Sequence, residues 1–278
     1  MRAALIQLCS GDDPAANLAV TEALVREAAA GGAALALTPE CTNIVTSNRA
    51  RQRELLVEEA ADPTLGRLRA TAGELGIWLL IGSLCLEGGT DGRFVNRSLL
   101  IGPDGAVRAR YDKIHMFDVA LDGGESYRES AAFRPGERAV LAEAAGVRLG
   151  MTVCYDLRFP QLYRDLAQAG AEVLAVPSAF TVPTGRAHWE VLLRARAIET
   201  GSYVLAPAQS GTHPAVSGTP RQTWGHSLAV APWGEVLVDA GEAVGVSFVE
   251  IDPAAVARAR AMVPSLGHDR DYAPPDRA

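Results

Sequence analysis

Residues 147–176 read VRLGMTVCYDLRFPQLYRDLAQAGAEVLAV, and the fold turns on them. Residues 147–153 form a short apolar run of strand length. Residues 160–169 open on Pro160, which suits the first position of a helix, and Gly170 closes that helix. Residues 172–176 return as a second apolar run. Strand, helix, strand is the repeating unit of an α/β fold. A cysteine, Cys154, stands at the elbow where the first strand gives way to the helix.

The alternation extends in both directions. Upstream, residues 3–9 and 33–37 read as buried strands around a helix that Asp13-Pro14 starts and Gly31-Gly32 stops. A helix over 63–75 leads to a strand at 77–81. Residues 94–101 and 107–111 flank Pro103-Asp104-Gly105 and read as a hairpin. Residues 115–136 lack periodicity and read as a long loop, a kind of segment that often carries function. Residues 139–142 follow as a strand. Downstream, a helix over 187–200 puts Ala187, Val191, Ala195 and Ile198 on one stripe, which the amphipathic pattern assigns to the buried face. Strands follow at 203–208, 226–231, 235–238 and 244–251, the middle two joined by Pro232-Trp233-Gly234. Asp252-Pro253 caps a last helix that ends near Met262. Hairpins beside helical crossovers imply a mixed sheet. No linker divides the chain, so residues 1–265 read as one α/β domain. Residues 266–278 form a polar, Pro-containing tail, expected to pack only where a partner subunit covers it.

Composition removes several classes of function. The 278 residues are 48 % hydrophobic, enough for a sizeable core, and carry a net charge of −7, which argues against a nucleic-acid partner. No apolar run reaches the ~18 residues of a membrane span. The N-terminus meets acidic residues too early for a secretory signal, so a cytoplasmic location is expected. The four cysteines, Cys9, Cys41, Cys85 and Cys154, include no Cys-x-x-Cys pair, and no Gly-x-Gly-x-x-Gly occurs. Neither metal nor cofactor is expected. One detail stands out: of 26 basic residues a single one, Lys113, is lysine. Lysine is a compact point charge, whereas arginine is a planar fork, so a chain that keeps one ammonium has a chemical reason to do so.

Three polar residues follow strands. Glu40 follows the strand at 33–37, Lys113 follows the strand ending at Tyr111, and Cys154 follows the strand at 147–153. Ligands in α/β sheets gather at the carboxyl ends of strands. Taken singly, each has a plain alternative: a packing cysteine, a loop carboxylate, a solvated lysine. Together they make a chemistry. A thiol is only a few per cent thiolate at neutral pH and needs a base. Glu40 can take its proton, and Lys113 can stabilise both that carboxylate and a developing oxyanion, with the Tyr155 amide beside it. Such a set cleaves a carbon–nitrogen bond through a thioester.

The segments Thr38-Pro39-Glu40, Tyr111-Asp112-Lys113-Ile114-His115-Met116-Phe117-Asp118 and Val153-Cys154-Tyr155-Asp156-Leu157-Arg158-Phe159-Pro160 resemble the Glu, Lys and Cys signatures of the nitrilase (carbon–nitrogen hydrolase) superfamily. Pro177-Ser178-Ala179-Phe180, residues 188–199 and Trp224-Gly225-His226-Ser227 resemble its Nit-type amidase branch. The resemblance spans residues 1–265. It implies an α-β-β-α sandwich, often dimerised, with Glu40 as base, Lys113 as electrostatic stabiliser and Cys154 as nucleophile. It also implies that Glu129, in Glu129-Ser130, positions the lysine or assists proton transfer. Arg158 and Thr184 lie where related amidases hold the substrate's remote carboxylate, and Phe117 and Phe180 where they wall the pocket. The loop 122–127 departs from the commoner Pro-Gly form. Within the branch, Pro177-Ser178-Ala179-Phe180, residues 194–200 and Ala208-Gln209 are more similar to the deaminated glutathione amidases than to the ω-amidases, which act on α-ketoglutaramate and α-ketosuccinamate. The implied partners are a small carboxylate-bearing amide and a second copy of the chain. Two other readings stay open: a Cys–His–Asp hydrolase using His115, His188 or His226, and a non-catalytic scaffold of the same fold.

Overall fold

The computed structural model describes residues 1–88, 91–120, 126–216 and 220–275. In chain order, the first half runs β1 (Arg2–Gln7), α1 (Pro14–Ala30), β2 (Leu35–Leu37), α2 (Arg49–Leu55), α3 (Pro63–Leu75), β3 (Trp78–Glu87), β4 (Phe94–Ile101) and β5 (Val107–Asp112). A small hairpin, β6 (Asp118–Ala120) and β7 (Ser126–Arg128), leads to β8 (Val140–Ala144), β9 (Val147–Met151), α4 (Pro160–Gln168), β10 (Val173–Ala175), α5 (Val182–Thr200) and β11 (Tyr203–Ala206). A second hairpin, β12 (Ser210–Thr212) and β13 (Gln222–Trp224), precedes β14 (Leu228–Val230), β15 (Val236–Asp239), β16 (Gly245–Glu250) and α6 (Pro253–Met262).

Two six-stranded mixed sheets result, ordered β16-β1-β2-β3-β4-β5 and β15-β14-β11-β10-β9-β8. Each has three central parallel strands with antiparallel strands on both flanks. The turns Pro103-Asp104-Gly105 and Pro232-Trp233-Gly234 close corresponding edge hairpins, one per sheet. Side chains of a strand alternate between faces, and β1 shows what that does here. Ala3 and Leu5 enter the core between the sheets with Leu149, Met151 and Val173, whereas Ala4 and Ile6 pack outward against Val25, Ala28, Leu65 and Leu68 of α1 and α3. Leu162, Leu166, Trp189 and Leu193 of α4 and α5 cover the other sheet. The layers are therefore α-β-β-α, as the resemblance implied.

The structure differs from the sequence expectations in four places. The helix expected over 187–200 starts at Val182, and the stripe of Val191 and Ile198 is 68 % and 57 % exposed. Trp189, Leu193, Arg196, Ala197 and Thr200 share the same helical period and are the buried face instead, because the Trp189 indole has far more apolar surface to hide. The strand expected to stop at Ile81 runs to Glu87, passing Gly82 with a register shift. The loop expected over 115–136 contains the β6–β7 pair and a helical turn at Glu129–Ala131. The helix α2, opened by the Asn48 side chain at its N-cap, adds an element beyond the sequence expectations. Of the variant loop, residues 122–125 lie outside the described residues. The Ser265 carbonyl, just before the tail, and the tail's Leu266 carbonyl and Asp269 carboxylate receive hydrogen bonds from Arg164 and Gln168 of α4, while residues 268–275 are exposed.

Candidate active site

Glu40, Lys113 and Cys154 come from separate strand ends, and the sandwich brings them to one place. Glu40 lies just beyond β2, Lys113 just beyond β5 and Cys154 beyond β9. The Glu40 loop crosses β3 at Gly82. A Cβ there would meet the Thr38 and Pro39 carbonyl oxygens at 2.0 and 2.5 Å and Pro177 Cβ at 2.5 Å, so only glycine lets the three segments approach this closely. The Lys113 backbone is pinned on both sides, its N–H donating to Asn96 O at 3.0 Å and its carbonyl accepting from Gly136 N at 2.8 Å.

Cys154 opens a single helical turn, Cys154–Arg158, with a backbone φ of +50°. That left-handed geometry is costly for a residue with a side chain, and Cys41, Ala145 and His226 adopt it too. Asp156, fully buried, holds the elbow. Its carboxylate accepts from Val153 N (2.8 Å), Tyr111 Oη (2.6 Å), His115 N (3.0 Å) and His115 Nδ1 (2.7 Å). One carboxylate thus ties the cysteine turn to both flanks of Lys113.

The ammonium of Lys113 is 2 % exposed and sits between two carboxylates. Nζ donates to Glu40 Oε1 at 2.9 Å and to Glu129 Oε1 and Oε2 at 3.0 and 2.9 Å. Glu129 is itself fixed by the Phe117 amide at 2.6 Å. Glu40 Oε2 accepts from Ala179 N at 3.0 Å, and Asn96 Nδ2 bridges Glu40 at 2.9 Å and Glu129 at 3.4 Å. The Cys154 thiol lies within reach of the Glu40 and Lys113 charges, and both act on it.

Burial shapes the protonation states. It pushes the Cys154 thiol up most strongly, with the Glu40 charge adding to it against Lys113. Burial opposes the charge on Glu40 too, but Lys113 outweighs it and holds the carboxyl below its usual range. Burial likewise acts against the Lys113 ammonium, and Glu129 and Glu40 more than reverse it. The resting state is therefore thiol, carboxylate and ammonium, with the carboxylate already ionised beside the thiol.

These groups face a cavity of about 310 Å³, within the roughly 300–1,000 Å³ usual for small-molecule sites. Phe117, Tyr155, Phe180 and Thr184 line it, as do Glu129 and the three central residues. Arg158 does not. Its guanidinium lies over the rings of two lining residues, Tyr155 and Phe180, at 5.9 and 5.6 Å and donates to His188 Nδ1 at 3.2 Å. The structure thus places Arg158 beside the lining rather than in it. Three other arginines, Arg49, Arg128 and Arg221, are in the lining. His115, His188 and His226 are not, which removes the Cys–His reading. His115 stacks on Phe159 and bonds Asp156, and His226 pairs with Asp239. Asn96, Asp156 and Arg221 had not been singled out in the sequence. Asn96 had a signal, a polar residue inside the apolar strand FVNRSLLI; Arg221, in a loop, had none.

The comparisons with known proteins agree with this geometry. The carbon-nitrogen hydrolase family matches residues 2–261. A deaminated glutathione amidase of Yersinia enterocolitica is 42 % identical over 269 residues, covering 96 % of this chain and 92 % of that protein. Among solved structures, the Caenorhabditis elegans NitFhit protein superposes with a TM-score of 0.89 at 36 % identity, over 97 % of this chain and 65 % of that one. A glutamate-to-glutamine variant of an amidase from Nesterenkonia sp. AN1, carrying the acetamide moiety of fluoroacetamide on its active-site cysteine, superposes with a TM-score of 0.78 at 29 % identity, over 93 % and 92 % of the two chains. A matched family over nearly the whole length, joined to a thiol, a carboxylate and an ammonium in contact, leaves one assignment: the chain belongs to the carbon–nitrogen hydrolase family, as an amidase of the Nit branch of the nitrilase superfamily.

Proposed function

We propose that Glu40, Lys113 and Cys154 hydrolyse the amide of a small carboxylate-bearing substrate of the deaminated glutathione type. The observation that carries this reading is the buried contact set of thiol, carboxylate and ammonium at one wall of the cavity. As Sγ attacks the amide carbon, Glu40 accepts the thiol proton, so no free thiolate forms in the apolar surroundings. The oxyanion develops beside the Lys113 ammonium and the Tyr155 amide. Collapse breaks the carbon–nitrogen bond, and Glu40 returns the proton to the departing amine. A water then gives its proton to Glu40 and attacks the thioester; the acid leaves and the thiol is restored. Glu129 holds Lys113 in place throughout. The first substrate is favoured by the arginine-lined cavity and by the relatives' activity; ω-amidase action on α-ketoglutaramate is the second reading, since it needs the same acyl chemistry.

Release of amine or ammonia from deaminated glutathione, α-ketoglutaramate and a plain nitrile tests the substrate. Turnover of the nitrile alone would overturn the proposal. Mass spectrometry tests the mechanism: Glu40→Gln is expected to accumulate the acyl adduct on Cys154, and Cys154→Ala to show neither adduct nor turnover. Inert thiols towards iodoacetamide, with no substrate protection at Cys154, would instead favour a scaffold.

We also propose that the chain works as a homo-oligomer in the cytoplasm. The exposed Val191 and Ile198 of α5 and Trp233 of the β14–β15 turn support a partner copy on that face. The four cysteines include no Cys-x-x-Cys pair, in keeping with thiols used singly in a reducing compartment. No helix among the described residues is long and apolar enough to cross a membrane.

A further inference from the structure

Arg221 is the part of the cavity wall that the chemistry above leaves unused. Its Nη2 donates to the Ala179 carbonyl at 2.7 Å, and its guanidinium lies 5.8 Å from the centre of the Tyr127 ring. Its Nε is buried and has no hydrogen-bond partner among the described residues. A buried donor left unpaired costs about 1–3 kcal/mol, and a site tolerates that where an incoming acceptor relieves it. Arg49 and Arg128 line the same cavity from α2 and β7. Arg49 donates to Gln52 Oε1 and to the Arg128 carbonyl, both neutral acceptors. Among the described residues none of the three guanidinium groups forms an ion pair, while both carboxylates in the lining, Glu40 and Glu129, are engaged by Lys113. An acidic chain has thus gathered unneutralised forked cations around one cavity, the arrangement that suits a carboxylate.

The position of Arg221 says which half of the substrate it meets. Arg221 binds the carbonyl of Ala179 and Glu40 binds the amide N–H of the same residue, so the two side chains are adjacent. Glu40 is the group that protonates the departing nitrogen. The amine half therefore leaves on the side where Arg221 stands.

We propose that Arg221, assisted by Arg49, binds a carboxylate carried by the amine half of the substrate, making the enzyme selective for amides whose leaving amine ends in a carboxylate, as a dipeptide does. This rests on the amidase reading and refines its substrate class: a primary amide, which releases only ammonia, forgoes the contact.

The test compares deaminated glutathione, its glycyl methyl ester and α-ketoglutaramate. All three share the same acyl half, so deacylation is common to them and only the leaving group differs. The wild type is expected to prefer the acid over the ester. Arg221→Gln is expected to lower kcat/KM for the acid by about tenfold to a hundredfold, the worth of a charged hydrogen bond, and to bring the acid-to-ester ratio close to one. Arg221→Lys keeps charge without the fork and is expected to recover part of the ratio. Arg49→Ala, on a separate helix, is expected to lower the same ratio and keeps the test alive if Arg221→Gln misfolds. An equal loss on all three substrates would show that Arg221 acts only through the field at Glu40 and would overturn the proposal. Calorimetry on the Cys154→Ala protein repeats the acid-against-ester comparison without turnover. Equal affinity for the two also overturns it. If no substrate turns over but the acid still binds tighter than the ester in an Arg221-dependent way, the subsite stands and the amidase substrate fails.

Discussion

Lys113 has three N–H donors and meets two carboxylates, a task that depends on a compact, rotatable ammonium. Arginine would keep the charge, but its planar fork cannot enter the 2 %-exposed space between Glu40 and Glu129 and still face an oxyanion. Lys113→Arg is therefore expected to lower kcat at least about a hundredfold, the usual scale for losing one oxyanion donor. Activity close to wild type would count against the assignment. The pH profile follows from the same three groups. Glu40 is held below the usual carboxylate range by Lys113 and must be ionised to act, so the acid limb of kcat/KM is expected to lie on the acid side of an ordinary glutamate's titration. Burial pushes the Cys154 thiol up, so no thiolate limb arises near neutrality. With no histidine in the lining among the described residues, the profile is expected to stay flat through about pH 6.5. A limb there would point to a histidine base. At this scale the three proposed catalytic residues are legible in the sequence because each follows a strand inside a long motif. Arg221 and Asp156 were not, because their roles come from what the folded chain sets beside them: Ala179 for one, Tyr111 and His115 for the other.

The crossing of β3 by the Glu40 loop makes Gly82 a positional element rather than a strand defect. A Cβ at 2.0 Å from a backbone oxygen forces the loop to move, so Gly82→Ala is expected to lower kcat much more than it lowers affinity for a substrate analogue. Equal kcat in the variant would show that the loop has room to spare. The sequence expectation of a strand over 77–81 stops one residue short of this glycine, and glycine inside a strand ordinarily weakens it. The close approach that requires it is visible only once β2 and β3 are side by side. The β13 strand carries a second such linkage. His213 is buried, its Nδ1–H donating to Ser10 O and its Nε2 accepting from Thr223, each at 2.7 Å. Burial pushes its pKa down to about 4, against about 6.5 in an unfolded chain. The unfolded state then binds the proton more readily, so stability present above about pH 6.5 is lost as pH falls towards 4, on the order of 3 kcal/mol in all. Urea midpoints of the wild type are expected to drop between about pH 7 and 5, and those of His213→Asn to drop less.

On the scale of the whole molecule, the α-β-β-α order was readable because strand and helix periods alternate cleanly along the chain. The orientation of α5 was not, because two stripes of that helix share one period and the burial of Trp189 chooses between them. Of the stripe left outside, Val191 and Ile198, Ile198 sits beside Gly234 in the edge hairpin of the sheet that α5 covers. If a partner copy covers it, Val191→Glu with Ile198→Glu is expected to reduce the sedimenting mass to that of a single chain, and an unchanged mass would place the oligomer contact elsewhere. The buried lysine has a last consequence, and it concerns handling rather than catalysis. With Lys113 enclosed, the one lysine among these 278 residues is withheld from solvent in the folded chain. An amine-reactive ester is expected to modify Lys113 in the denatured protein and to leave it unmodified in the native one, so peptide mapping of that residue reads out unfolding.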